Sequence, residues 1–262
     1  MTDAPRCLII ALVCAVCPAS VTTSEAGDAF DRSITTSAAA RRVDIVGTKL
    51  GMTPDEIRAA IAAHDPTLKI RVAESTVELA DGTERSFVTA VSAERRGEDS
   101  DAIDVSFSQP PRDAQAVGII RRKEFALATR PAYAPVRKAL LEQYGRPSDE
   151  VIQGVTRGEA ADLEGQGGGI KLKWRLDKDK AECAELRRAR RAPRPSSLGG
   201  RKPAECSALL VVWMGVVKGL VTSVTAASSN PALSALAQVE YRAFRSAQLD
   251  GRRRRQAQKP DR

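Results

Sequence analysis

Residues 52–66 read MTPDEIRAAIAAHDP, and this stretch decides how the folded part of the chain begins. Thr53 can cap a helix, Pro54 suits the first helical position, and Glu56 completes a Thr-x-x-Glu capping box. The next positions recur with helical spacing on one face: Ile57, Ala60, Ile61 and His64. Asp65 and Pro66 then stop the pattern, so the sequence predicts a helix between them.

Strand patterns follow this helix. Apolar and polar residues alternate in 70–73 and strictly in 103–107, and Asp81-Gly82 is a tight-turn signal between 77–79 and 87–91. Pro110-Pro111 turns the chain into another apolar stretch at 117–122. The expected structure is a helix followed by an antiparallel meander of about four strands.

A weaker second cycle comes next. A helical face is formed by Val136, Ala139, Leu140 and Tyr144, with Gly145 and Pro147 as the stop. Residues 170–176, 207–214 and 220–227 have the composition of three strands, and Asn230-Pro231 opens a last helix toward Phe244.

The fold class predicted from these patterns is α+β, with a tandem repeat of a helix followed by an antiparallel meander sheet as the candidate plan. The first unit would span 43–128 and the second 129–248. Residues 57–61 and 136–140 share a five-residue pattern at the same place in the two units, which indicates an internal duplication.

Residues 207–227 allow a second interpretation. This stretch of 21 residues carries only Lys218 as a charge, so it is long and apolar enough for a membrane span. A hairpin is favoured because the stretch is rich in Val and Thr, and because Lys218-Gly219 is a turn signal at its middle.

The N-terminal 26 residues predict export. Arg6 precedes an apolar run at 7–17 that is followed by small residues, the layout of a signal peptide with cleavage after Ala19 or Ala26. A lipoprotein anchored through Cys14 or Cys17 and a cytosolic protein with a buried N-terminal helix are the alternatives. Residues 27–42 lack apolar periodicity and predict a flexible lead-in, so the mature protein is expected to be periplasmic or secreted, without a transmembrane span.

The charge of the chain is concentrated in two segments. The 262 residues carry a formal net charge of +8, yet the part outside these segments is mildly acidic. Residues 249–262 predict a basic disordered tail. Between 187 and 202 there are seven bases and no acid: Arg187, Arg188, Arg190, Arg191, Arg194, Arg201 and Lys202. These are candidate contacts to an anionic surface, against the simpler interpretation of a solvated loop.

Two cysteines bracket this basic loop. Once a signal peptide is removed, Cys183 and Cys206 are the cysteines that remain. In an oxidising compartment their position predicts a disulfide bond, and two unrelated free cysteines are the alternative.

Common catalytic motifs are missing from the sequence. His64 is the single histidine, which excludes a His-rich zinc site, and its place on the last helical turn favours a bond to terminal carbonyl groups. No catalytic, cofactor-binding or metal-binding residue is assigned. A carboxylate-based secreted hydrolase remains as the alternative, to be recognised by facing carboxyl groups with raised pKa values.

Three stretches carry a family resemblance. Residues 46–57, VGTKLGMTPDEI, are similar to the Gly-Met-Thr helix entry of BamE-type (SmpA/OmlA) outer-membrane lipoproteins, and the tandem plan resembles beta-lactamase inhibitory protein. With FSQPP at 107–111 and LEQYGRPS at 141–148, residues 44–148 resemble a group of uncharacterised secreted proteobacterial proteins. The lipid-anchoring cysteine of BamE-type proteins has no counterpart here. The resemblance implies a binding scaffold.

The function expected from the sequence is therefore protein binding. The chain would be a non-catalytic periplasmic or secreted interaction module that requires no cofactor. Its sheet face or its basic loop would contact an envelope protein or an anionic envelope surface, and nucleic acid is excluded as a partner by the compartment.

Overall fold

The computed structural model describes residues 43–153, 168–178 and 207–258. These residues form three α-helices, one short 3-10 helix and eight strands, which confirms the α+β class. In chain order the elements are α1 (Pro54–His64), β1 (Lys69–Glu78), β2 (Glu84–Arg95), β3 (Asp101–Phe107), β4 (Ala116–Glu124), the 3-10 helix (Leu127–Thr129), α2 (Tyr133–Tyr144), β5 (Asp149–Gln153), β6 (Gly168–Lys178), β7 (Ser207–Val217), β8 (Leu220–Ser229) and α3 (Pro231–Ala257).

The start of α1 is the predicted capping box. The Thr53 hydroxyl accepts from the Glu56 amide at 3.4 Å, and the Glu56 carboxylate accepts from the Thr53 amide at 2.8 Å. Ile57 and Ile61 are fully buried, as their spacing predicts. His64 is the last residue of the helix, and although its spacing places it on the same face as Ile57 and Ile61, its side chain is exposed.

The eight strands form one antiparallel sheet in the order β1-β2-β3-β4-β8-β7-β6-β5. The four strands predicted after α1 and the three predicted in the second half are all present. Strand β5 was not predicted, because Asp149–Gln153 is short and begins with two acids instead of an alternating pattern. It pairs with β6 from Asp149↔Lys173 to Gln153↔Gly169.

The apolar stretch at 207–227 is the predicted hairpin of β7 and β8. Lys218 (φ 51°) and Gly219 (φ 71°) form the turn, and two successive residues with positive φ match the right-handed twist of the flanking strands. Within the part of the chain that the structure describes, no helix is long and apolar enough to cross a membrane.

One face of the sheet carries the main core, under α1 and α2. Ile57 and Ile61 of α1 belong to it, and α2 packs against it through partly buried side chains. The α2 residues in contact are Tyr133, Val136, Leu140 and Tyr144. Five strands, β2, β3, β4, β7 and β6, contribute large, fully buried side chains to this core: Val91, Val105, Ile103, Ile119, Leu210, Met214, Leu172 and Ile170.

Helix α3 lies on the opposite face, where it contacts β7 and β4 and continues to the β1–β2 turn. Leu233 packs on Val117 of β4, and Tyr241 meets Phe87 of β2 edge-on at 5.9 Å between ring centroids. Further along, the Gln248 side chain accepts from the Ala80 amide at the β1–β2 turn. The helix continues to Ala257, so the prediction of a disordered tail from residue 249 was wrong for most of that tail.

Candidate functional site

The α3-bearing face of the sheet extends beyond α3, which in the described part of the chain contacts mainly β7 and β4. Cross-strand partners lie on the same face of a sheet, and side chains alternate between faces along each strand. The register Val151↔Lys171, Lys171↔Trp213 and Trp213↔Thr225 therefore places one row of side chains opposite the α1/α2 core. We call the part of this face formed by β5–β8 the open half-face.

Strand β6 gives this half-face its charge. Its inward residues Ile170, Leu172 and Trp174 are buried. The residues between and after them are basic, and they point to the other face: Lys171, Lys173 and Arg175. Asp149 is the cross-strand partner of Lys173, and both Lys173 and Arg175 make further interactions within the protein.

Trp213 of β7 is the largest apolar group on the open half-face. Trp213 is 40% exposed, although its two immediate neighbours on the strand, Val212 and Met214, are buried. The Lys171 ammonium lies 5.4 Å from the centre of the indole ring. A cation over an aromatic face is held by the ring's negative quadrupole, which orients Lys171 and the indole together.

The side chains beside Trp213 on this face are uncharged and mostly apolar. They are Leu209 and Val211 on β7 and Thr225 and Ala227 on β8, all partly buried. No described residue of β7 or β8 on this face is charged, because the one basic residue of the hairpin, Lys218, is in its turn. The result is an apolar strip that lies along the cationic strip of β6.

On the first four strands the same face carries ion pairs. Arg122 contacts Asp104 at 2.6 Å, and Arg71 contacts Glu94 at 2.8 Å. The feature that distinguishes the open half-face is the exposed indole of Trp213.

Among the described residues, the carboxyl groups with shifted pKa values belong to helix caps and a turn. Hydrogen bonds from Thr67 lower the pKa of Asp65, and hydrogen bonds from Thr83 lower the pKa of Asp81, as Thr53 does for Glu56. Burial raises the pKa of Tyr133 and of Tyr144, whose hydroxyl donates to the Asp44 carbonyl oxygen at 2.9 Å. None of these carboxyl shifts has the upward direction that a general acid requires.

Two further places were considered for a site. A surface groove of about 440 Å³ runs along α2, with all its lining residues on that one helix: Tyr133, Ala134, Arg137, Lys138, Leu141 and Glu142. Over the described ranges, no group of three or more His, Cys, Asp or Glu side chains is placed to hold a metal ion. The groove has no second wall among its lining residues, so it offers less contact than the sheet face.

The site residues predicted from the sequence lie elsewhere in the chain. Cys183 and Cys206 fall outside the described residues, and so does the whole basic loop at 187–202. Of the basic tail, Arg252–Arg255 belong to the last turns of α3, where Arg252 pairs with Glu78 of β1.

Sequence reasoning missed the open half-face for a physical reason. The IKLKWRL pattern at 170–176 alternates, and it could have shown that β6 places three cations on one face. Strand β7 gives no such signal, since both of its faces are apolar, and only the packing of Leu210, Val212 and Met214 under the helices leaves Trp213 outside.

No protein-family model matches the chain, and no curated protein or solved structure shows significant similarity to it.

Proposed function

We propose that the protein is a non-catalytic interaction module of the bacterial envelope, periplasmic or secreted, and that the open half-face is its binding surface. The observation that carries this proposal is Trp213, an indole 40% exposed on a sheet face beside partly buried apolar side chains. Tryptophan anchors surrounded by apolar contacts dominate the binding energy of many protein interfaces.

The architecture supports a scaffold built by duplication. A helix followed by four antiparallel strands occurs twice in succession, and the last strands of the two units, β4 and β8, pair at the centre of the sheet. We infer that the two units descend from one.

Export and the disulfide bond remain part of this proposal. They rest on the signal-peptide pattern at 1–26 and on the positions of Cys183 and Cys206. We expect no free thiol in the mature protein after denaturation without reductant, because the bond would close a loop and stabilise the fold by roughly 3 kcal/mol. Two titratable thiols per chain would contradict the bond.

A carboxylate-based secreted hydrolase is the alternative. Its signature would be facing carboxyl groups with raised pKa values, and among the described residues the resolved carboxyl shifts, at Glu56, Asp65 and Asp81, are downward. We propose binding because of the exposed indole of Trp213.

The test is a comparison of variants in a pull-down from envelope extract. Residues 27–262 serve as bait, together with the Trp213→Ala variant and a Leu127→Ala control. Leu127 is 74% exposed on the 3-10 helix, outside the sheet, so its removal also deletes an exposed apolar side chain. We expect the retained proteins to be lost with Trp213→Ala and kept with Leu127→Ala. Identical retention by all three baits would contradict the proposal.

A further inference from the structure

Helix α3 presents a row of basic side chains to solvent. Tyr241, Gln248 and Arg252 hold the helix on β2, the β1–β2 turn and β1. The residue after each of them is turned by about 100° around the helix axis and is exposed. With one exposed arginine between the first two, these residues form what we call the outer row: Arg242, Arg245, Leu249 and Arg253. The outer row is about 16 Å long.

Arg242 and Arg245 lack an acidic neighbour on their helix. Neither has Asp or Glu three or four positions away, and each has the other arginine three positions away instead. Like charges at this spacing destabilise a helix, because the two side chains lie next to each other. In the described part of the chain, the ion pairs of α3 use Glu240, Arg252 and Arg253. No described ion pair therefore accounts for the charges of Arg242 and Arg245.

The arginines of the last turns of α3 differ in this respect. Arg252 and Arg253 each lie within 4 Å of a carboxylate. Cations near the C-terminus of a helix are also stabilised by the helix dipole, whose effect is confined to the last turn. Arg242 and Arg245 lie more than three turns before the helix ends at Ala257, so the dipole does not explain them.

The shape and composition of the outer row favour a bilayer surface as its ligand. An anionic bilayer offers phosphate groups over a plane, so a straight row of guanidinium groups can contact several of them at once. Leu249 is 42% exposed in the middle of the row, where it can enter the apolar side of the head-group region.

Two other polyanions fit the outer row less well. A single-stranded nucleic acid gains affinity by stacking its bases on aromatic rings, but Tyr241, the aromatic residue next to the row, meets Phe87 of the sheet instead. An acidic protein partner would need a larger apolar centre than the single leucine of the row, since buried apolar anchors dominate such interfaces.

From these observations we propose that the protein rests on anionic phospholipid bilayers through the outer row of α3. The guanidinium groups of Arg242, Arg245 and Arg253 contact the lipid phosphates, and Leu249 lies among the head groups. This surface is separate from the open half-face. It adds a second contact to the function proposed above and does not depend on Trp213.

The test measures flotation of the chain from residue 27 onward with two kinds of lipid vesicle. One kind contains phosphatidylcholine with about 30% phosphatidylglycerol, and the other contains phosphatidylcholine alone. We expect the protein to bind the phosphatidylglycerol vesicles at least tenfold more tightly. The difference should disappear at about 0.5 M salt, because salt screens the attraction.

Paired substitutions locate the contact. Arg242→Gln with Arg245→Gln should weaken binding about tenfold or more, since each basic residue near an anionic bilayer contributes about fivefold. Arg58→Gln with Lys138→Gln is the matched control, because both residues are exposed on α1 and α2 and the net charge changes equally. This control should stay within about twofold of the unchanged protein.

Two further variants separate charge from shape. Arg242→Lys with Arg245→Lys keeps both charges and should bind within about twofold of the unchanged protein. Leu249→Ala should weaken binding about threefold through the lost apolar contact. Circular dichroism verifies that every variant is folded.

Each contrary outcome overturns the proposal. Equal binding to both kinds of vesicle would show that the lipid charge is not recognised, and no binding at about 1 mM lipid would refute the bilayer. Unchanged binding of the Arg242→Gln, Arg245→Gln protein would assign the contact to other basic residues. Equal weakening by both glutamine pairs would show attraction by net charge alone. Tighter binding of oligo-dT or polyglutamate through the same two arginines would replace the bilayer by another polyanion.

Discussion

Lys218 shows how a single residue can oppose the local conformation that the fold requires. It occupies the first position of the β7–β8 turn with φ 51°, in the left-handed region that side chains other than Gly, Asn and Asp rarely adopt. Gly219 takes the second position without penalty. The turn was predictable from Lys218-Gly219, but the strain at Lys218 follows only from the two-residue length of the loop.

Replacing Lys218 by Asn should therefore stabilise the protein. Asn-Gly is the preferred pair in this type of turn, and the gain in the free energy of unfolding should be about 0.5–1 kcal/mol. Urea denaturation measures it. Lys218→Gln is the control, because it removes the same charge but keeps the unfavourable side chain. An equal gain from Lys218→Gln would assign the effect to charge instead of backbone conformation.

At the scale of elements, the N-terminus of α1 was predictable because all its determinants are within five residues of one another. The predicted bonds between Thr53 and Glu56 are formed in both directions. The extent of α3 was not predictable in this way. Its last turns are fixed by residues far away in the sequence, where Gln248 contacts Ala80 and Arg252 contacts Glu78. As long as those partners are unknown, the four successive arginines at 252–255 predict mutual repulsion and therefore a disordered tail.

Thr53→Ala should lower the free energy of unfolding by about 1 kcal/mol at pH 7, the usual contribution of an N-cap side chain. The Thr53 amide and hydroxyl hold the pKa of Glu56 below its ordinary value of 4.5, so their bonds stabilise the fold while Glu56 is charged. This contribution is present above pH 4.5 and is lost as the pH falls through the lowered pKa.

The measurement is urea denaturation of both proteins between pH 7 and pH 3.5. The difference between them should shrink at the acidic end, because the bond from the Thr53 hydroxyl to the Glu56 carboxylate weakens as that carboxylate is protonated. A difference that is constant with pH would mean that the Glu56 charge does not take part in the cap.

Glu240→Ala should loosen α3 from the sheet. The Arg112 side chain is 10% exposed and Glu240 is 23% exposed, so the variant leaves a largely buried guanidinium without this carboxylate. We expect a loss of about 2–3 kcal/mol in the free energy of unfolding and faster hydrogen exchange along α3. Asp250→Ala is the control on the same helix, since Asp250 is exposed and lies 3.9 Å from Arg253. It should change stability by less than about 0.5 kcal/mol.

At the scale of the whole molecule, the two halves of the sheet share one core. Ile57 on α1 and Val105 on β3 belong to the same buried cluster as Leu210 on β7 and Trp174 on β6. The sequence patterns predicted most of the strands but not how the two halves join, because an apolar strand pattern does not specify which other strand it pairs with. The pairing of β4 with β8 joins them.

This shared core predicts a single unfolding transition. Trp174 reports on the half of the sheet formed by β5–β8. A tryptophan introduced as Phe107→Trp in a Trp174→Phe, Trp213→Phe background reports on the half formed by β1–β4. The fluorescence midpoints should coincide with the midpoint from far-ultraviolet circular dichroism. Two separated midpoints would mean that the two halves unfold independently. If these substitutions destabilise the core too far, calorimetry of the unchanged protein provides the same test. For a single transition, the calorimetric and van't Hoff enthalpies of unfolding should be equal.

Helix α3 also has a mechanical consequence for the rest of its face. It packs on Val117 of β4, meets Phe87 of β2 and pairs with Glu78 of β1, and it also contacts β7. Because one helix joins strands of both halves of the sheet, we expect it to resist changes in the twist of the sheet. A ligand would then meet a surface with its curvature already set. Association should therefore be limited by diffusion and orientation instead of by rearrangement of the sheet, and differences in affinity should be expressed mainly in the lifetime of the complex.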